Sequence, residues 1–194
     1  MTAPDIVYLH GFRSSPQSEK ARFLRRYLNE SGYTGQWYVP ELPHTPEAVE
    51  EQITRVLERM DGRRVGLIGS SLGGFFAAVM AERYSLPAVL INPAPYPYDL
   101  MADYLGLQTN LYTGEVFSVT QAHLDHLRAM DPGELSHPER ILVLLQTGDE
   151  TLDYRLAQKR FQGAEQVVEE GGDHRYSSFE TRLPQMLTFL DRHA

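Results

Sequence analysis

The sequence contains no cysteine. That excludes disulfides, thiol nucleophiles and cysteine-ligated metals, whatever compartment the chain occupies. It also lacks any long basic run, and its formal charge is −8. A clustered positive surface, which phosphate backbones require, is therefore missing, and no nucleic-acid partner is expected. No apolar stretch is long enough to span a bilayer. Residues Met1–Asp5 have no basic region and run straight into a strand-like segment. No signal peptide is expected, and the cytoplasm is the default location. Internal repeats and low-complexity tracts are absent as well. What remains is ordinary for a globular chain: 194 residues, 42% hydrophobic and 23% charged. That is enough for one domain with a substantial core.

Short β-branched runs alternate with helical patterns. Strands are expected at Ile6–Leu9, Gln36–Val39, Arg64–Ile68, Ala88–Ile91, Ile141–Leu145 and Gln166–Glu169. Helices are expected at Gln17–Asn29, Pro46–Met60, Leu72–Arg83, Tyr154–Phe161 and Phe179–His193, with apolar residues at 3.6-residue spacing in the first two. Nearly continuous apolar strands between helices predict an α/β fold, a mostly parallel sheet of about six strands covered on both faces. The stretch from Asn92 to about Pro138 breaks the rhythm, with many aromatics, weak helices and no expected strand. Loops of this length are usually functional. It reads as a small helical cap, about residues 93–138, over the carboxyl edge of the sheet, where open α/β folds bind ligands.

One motif carries chemistry directly. Gly69-Ser70-Ser71-Leu72-Gly73 is a G-x-S-x-G match between an apolar strand and an Ala-rich helix. In that setting a tight strand-to-helix turn pushes the Ser71 hydroxyl outward, and the glycines avoid collisions as the backbone bends. The helix amino terminus also favours negative charge developing beside it. A glycine-rich turn of phosphate-binding type is the competing reading, and Ser70 is the neighbouring alternative without the glycine spacing. A serine nucleophile needs a base held by a carboxylate. Chain order supplies both after later strands: Gln146-Thr-Gly-Asp149 and Gly171-Gly-Asp-His174. His174 is the expected base. Asp149 is favoured as its orienter over Asp153, which is placed to cap the helix at Tyr154, while Glu150 is expected to face solvent and Asp173 to be a turn residue. The backbone N–H groups of Phe12, in His10-Gly11-Phe12, and of Leu72 are expected to form the oxyanion hole. His123, His126 and His137 lack a carboxylate or thiolate at ligand spacing and read as cap surface; no metal is expected.

With these residues placed, the chain resembles the YqiA-type esterases, a family of small bacterial α/β-hydrolases. The resemblance runs nearly end to end, through Tyr8-Leu-His-Gly-Phe12, Gly69-Ser-Ser-Leu-Gly-Gly74, Asn92-Pro-Ala94, Tyr112-Thr-Gly-Glu115, Leu145-Gln-Thr-Gly-Asp-Glu150 and Glu170-Gly-Gly-Asp-His174. It implies an α/β-hydrolase fold and cleavage of acyl esters or thioesters by Ser71, Asp149 and His174, without a cofactor. The family has Asn at the position of Asp173, and a small residue then Phe where Arg175 and Tyr176 stand. Amide cleavage would use the same residues, and a non-catalytic ligand- or partner-binding protein of this fold is the competing class. Tyr96, Tyr104, Tyr112 and Phe117, with His10, Gly11 and Arg13, are the candidate contacts for a small ester substrate. Arg13, Arg175 and the basic residues Lys20, Arg22, Arg25 and Arg26 fit an anionic leaving group or acid product, a solvated face being the simpler reading for the helix residues.

Overall fold

The central strands are buried on both sides, which is why they read as unbroken apolar runs. The computed structural model describes residues 2–194. Its first half runs β1 (Asp5–Leu9), α1 (Glu19–Glu30), β2 (Trp37–Tyr38), α2 (Pro46–Glu58), β3 (Val65–Ser70), α3 (Leu72–Tyr84) and β4 (Ala88–Ile91). Then follow α4 (Pro97–Leu100), a 3₁₀ turn at Met101–Tyr104, β5 (Gly106–Thr109), β6 (Val116–Val119) and α5 (Gln121–Met130). The chain closes with β7 (Ile141–Gln146), α6 (Tyr154–Arg160), β8 (Glu165–Glu169) and α7 (Phe179–His193).

Six strands form one parallel sheet in the order β2-β1-β3-β4-β7-β8. Alternate side chains feed two cores, as the two-residue period of a strand requires. Val7, Leu9, Leu67, Leu90 and Val143 pack against α2, α3, α5 and α6. Ile6, Tyr8, Ile68, Ile91 and Leu144 pack against α1 and α7. Helix α3 is apolar all round because it is buried nearly along its length. From β1 the chain steps to β2 on one side and then crosses to β3 on the other, so the carboxyl ends of β1 and β3 flank a crevice. Ligands bind at such switch points.

The expected strands and long helices are all present, with ends that differ from expectation by at most two residues. One expectation fails. The segment between Asn92 and Pro138 contains an antiparallel hairpin, β5–β6, pairing Leu107 with Ser118 and Gln108 with Phe117. Most of its side chains are exposed, so it has no buried face to impose an apolar alternation. Its loop is fixed locally instead: the Asn110 carboxamide oxygen accepts from the N–H groups of Tyr112 and Thr113 at 2.9 and 3.1 Å. Asn110 Nδ2 donates to Ser14 O at 2.9 Å and Arg13 Nε to Thr109 O at 2.8 Å, tying the hairpin to the loop after β1. Among the described residues, no helix is long and apolar enough to cross a membrane.

Candidate active site

Ser71 sits between β3 and α3 with φ 56° and ψ −120°, a region that costs a non-glycine residue about 1–3 kcal/mol and persists only where the surroundings enforce it. They do so on both sides. The Ser71 N–H donates to Ile91 O at 3.0 Å, and its carbonyl accepts from Ala94 N–H at 3.1 Å. The flanking glycines are sterically required: a Cβ on Gly69 would lie 2.2 Å from Gly73 O, and one on Gly73 would lie 2.1 Å from Leu9 O. Sharp bending and close strand–helix approach therefore come from the same two residues.

The carboxyl ends of β7 and β8 bring the other expected groups to this turn. His174 Nε2 lies 3.1 Å from Ser71 Oγ. On its other side Nδ1 lies 2.8 and 3.0 Å from the Asp149 carboxylate oxygens. The Asp149 side chain is 2% exposed, and its Oδ1 also accepts from Thr151 N–H and Leu152 N–H at 2.9 and 2.8 Å. A hydroxyl, an imidazole and an immobilised carboxylate thus form one hydrogen-bonded line, able to move a proton off the serine. Asp153 instead accepts from Arg155 N–H at 3.0 Å at the start of α6. Ser70 is the buried last residue of β3.

The turn after β1 packs against the serine: a Cβ on Gly11 would meet Ser71 Cβ at 3.2 Å. Among the described residues, the N–H groups of Phe12 and Leu72 find no acceptor in the protein, and both residues border the cleft at Ser71. His10 is buried beneath them. Its Nε2 accepts from Leu42 N–H at 3.2 Å, which leaves the proton on Nδ1, 3.1 Å from Gly11 O. Burial pushes this imidazole below the ordinary histidine range, so it stays neutral and holds the turn.

Residues not singled out from the sequence hold the histidine loop. Buried Asn92 donates from Nδ2 to Asp173 O and His174 O, at 3.0 and 3.3 Å, and accepts on Oδ1 from Gln146 N–H. Gln146 Oε1 accepts from the N–H groups of Asp173 and Ser177, and its Nε2 donates to Glu169 at 2.8 Å. Burial raises the Glu169 carboxyl, but hydrogen bonds from Ser178, Gln146 and Arg182 outweigh it and leave its pKa lowered. Glu150, exposed as expected, also accepts from His174 N–H at 2.9 Å, a bond that lowers its own pKa. Asn92, Gln146 and Glu150 stand in the motifs that carry the family resemblance, the first two at strand ends, but nothing in the sequence marked their distant partners.

Two clefts meet at Ser71 and His174. One, about 300 Å³, is walled by Pro97, Leu100, Met101, Tyr104 and Leu152. The other, about 250 Å³, is bordered by Tyr8, Ser18, Lys20, Ser70, Tyr112 and Arg175. Phe12, Arg13 and Leu111 border both. Tyr104 and Tyr112 therefore reach the site as expected. Tyr96 does not: it packs beside Tyr98, with Arg160 over its ring, because Arg160 is held there by an ion pair to Asp131 at 2.7 Å. Phe117 stacks on His44 at 4.0 Å and lines a separate small cavity with His10. Among the cap histidines, His126 contacts Glu50 at 2.7 Å and His123 completes the cap of α5 with Thr120.

Comparison with known proteins bears on this arrangement. The model of the uncharacterised protein family UPF0227 matches residues 5–191. A UPF0227 protein of Shewanella woodyi is 24% identical over 187 residues, covering 95% of this chain and 98% of that one. One from Pectobacterium atrosepticum is 23% identical over 186 residues, covering 95% and 97%. Among solved structures, a putative hydrolase from Agrobacterium vitis superposes with a TM-score of 0.75 at 21% identity, over 97% of this chain and 88% of that one. A monoacylglycerol lipase from Paleococcus ferrophilus gives 0.73 at 15% identity, over 100% and 97%. The fold is that of the α/β-hydrolases.

Proposed function

The chain belongs to the UPF0227 family, and from its site we propose that it is a serine hydrolase cleaving carboxylic esters, with Ser71 as nucleophile, His174 as base and Asp149 as the group that orients it. The observation that carries this reading is the continuous line from Ser71 Oγ to His174 at 3.1 Å and on to Asp149 at 2.8 Å. Its nucleophile lies in a strained turn beside two unengaged N–H groups. The esterases and lipases among proteins of similar fold are compatible with it.

His174 Nε2 takes the Ser71 proton as Oγ attacks the ester carbon. The N–H groups of Phe12 and Leu72 then receive the oxyanion. His174 returns the proton to the leaving oxygen, and water repeats the cycle to free the acid. Residues 93–138 act as the cap that supplies the apolar wall, with Met101 and Tyr104 against the acyl chain. Thioesters fit the same chemistry.

Fluorophosphonate labelling and p-nitrophenyl butyrate hydrolysis test this directly. Wild type should label and turn over, and Ser71→Ala should lose labelling and on the order of 10⁴-fold or more in kcat. Equal turnover in the variant would overturn the assignment.

A further inference from the structure

The two clefts at Ser71 differ in charge, and the mechanism above uses only the one where Arg13 is matched by Asp103. The second is bordered by three cations, Arg13, Lys20 and Arg175, with the exposed Glu19 as the carboxylate on its border; Arg175 also pairs with Asp173 at 3.4 Å. That local excess of positive charge stands out in a chain of net charge −8. We propose that this cleft binds an anionic group, a carboxylate or a phosphate, carried on the alcohol arm of the ester, with Lys20 as its principal counter-charge. The assignment rests on the esterase reading and specifies its substrate class.

Lys20 is the best placed of the three. Its Nζ donates to Arg175 O at 2.8 Å, and among the described residues it forms no ion pair. Burial pushes this ammonium down to about 8, although neighbouring acids oppose the shift. A bound anion would relieve that penalty. Ser18, also buried on this cleft, has its Oγ beside the Tyr8 phenol and no backbone or charged partner. It stands at the amino end of the twelve-residue α1, where the helix dipole favours negative charge. The Tyr8 phenol is fully buried beside it, and burial raises its pKa so that it remains a donor. Arg22, Arg25 and Arg26, the other basic residues of α1, do not border the cleft.

The division between arms follows from the reaction. The Ser71 Oγ–acyl carbon bond forms as the bond from that carbon to the alcohol oxygen breaks. The serine proton passes through His174 Nε2 to the departing oxygen. The acyl group must then stay attached, and an apolar wall retains it. The alcohol must leave and be replaced by water, and an anionic alcohol leaves through the cleft that carries the cations.

The test compares hexanoyl glycolate and the hexanoyl ester of 2-hydroxyethyl phosphate with the neutral hexanoyl ester of methyl glycolate. Wild type should favour at least one anionic ester by about tenfold in kcat/KM, mainly through KM. Lys20→Met should bring that ratio close to one, and Lys20→Arg should keep most of it; the anion with the larger ratio identifies the source. In the Ser71→Ala background, glycolate or 2-hydroxyethyl phosphate should bind, read by NMR titration, and lose binding with Lys20→Met added. A wild-type ratio of one or below overturns the proposal even if Lys20→Met fails to fold, and so does a ratio that Lys20→Met leaves unchanged. Those results leave the esterase reading intact. If no ester is cleaved faster by wild type than by Ser71→Ala, the esterase reading itself fails, and this assignment of arms with it.

Discussion

Asp149 and Asp153 are four residues apart, and at the residue scale the question is which of them serves the imidazole. Asp149 is anchored by two backbone N–H groups and faces His174 Nδ1. Asp153 is spent on the first turn of α6. Their substitutions should therefore fail differently. Asp149→Asn should lower kcat by about 10⁴-fold by favouring the wrong imidazole tautomer, with little change in folding. Asp153→Ala should weaken α6 by about 1 kcal/mol, the usual worth of a cap, and keep most turnover. Esterase assays paired with urea melts separate the two, and a large activity loss in Asp153→Ala alone would reverse the assignment. Candidates at this scale were legible in the sequence where their signal was local: glycine-flanked Ser71, and Asp149 and His174 just past strand ends. Asn92 and Gln146 were not. Their partners lie 81 and 27 residues away, and nothing near an asparagine announces which distant carbonyl it will meet.

At the scale of elements, α2 is the hub that joins α5 to α3. Glu50 on α2 receives a hydrogen bond from Arg83 of α3 at 2.6 Å and contacts His126 of α5 at 2.7 Å. Burial raises this carboxyl, but the bonds from Arg83 and His126 prevail and its pKa is lowered. A carboxylate depressed in the folded state stabilises it above the ordinary carboxylate range and loses that contribution as pH falls through the folded value. Because the group is partly exposed, Glu50→Gln should cost only about 0.5–1 kcal/mol near neutral pH. Thermal melts should show the wild-type and variant midpoints converging under acid conditions. A gap that widens as pH falls would contradict this account. The same region shows where element reading stops. The long helices and buried strands declared themselves through burial-driven periodicity, whereas β5 and β6 are four-residue strands held by backbone bonds and the Asn110 turn, with little burial to pattern their side chains.

Across the whole molecule, the last helix closes on the strand that leads into Ser71. Gly66 is the second residue of β3, and a Cβ there would stand 2.9–3.1 Å from the Leu190 side chain of α7. Leu190 is fully buried, so it occupies the volume that any larger residue at 66 would need. This is a packing match between positions far apart in the chain, and it fixes α7 on the face opposite α3. Leu190→Ala should destabilise by about 2–5 kcal/mol, towards the upper end because Gly66 offers no side chain to collapse into the cavity. Gly66→Ala alone should also destabilise, by forcing Leu190 aside. In the double variant the added methyl enters space that the lost leucine vacated, so the combined loss should be smaller than the sum of the two. Urea denaturation of the three variants measures this coupling, and strict additivity would show that Gly66 and Leu190 do not share the space. Fluorophosphonate titration of the folded fraction should find Ser71 labelling unchanged in Leu190→Ala, because Ser71 is held from the other side by Gly69, Gly73 and the bonds to Ile91 and Ala94.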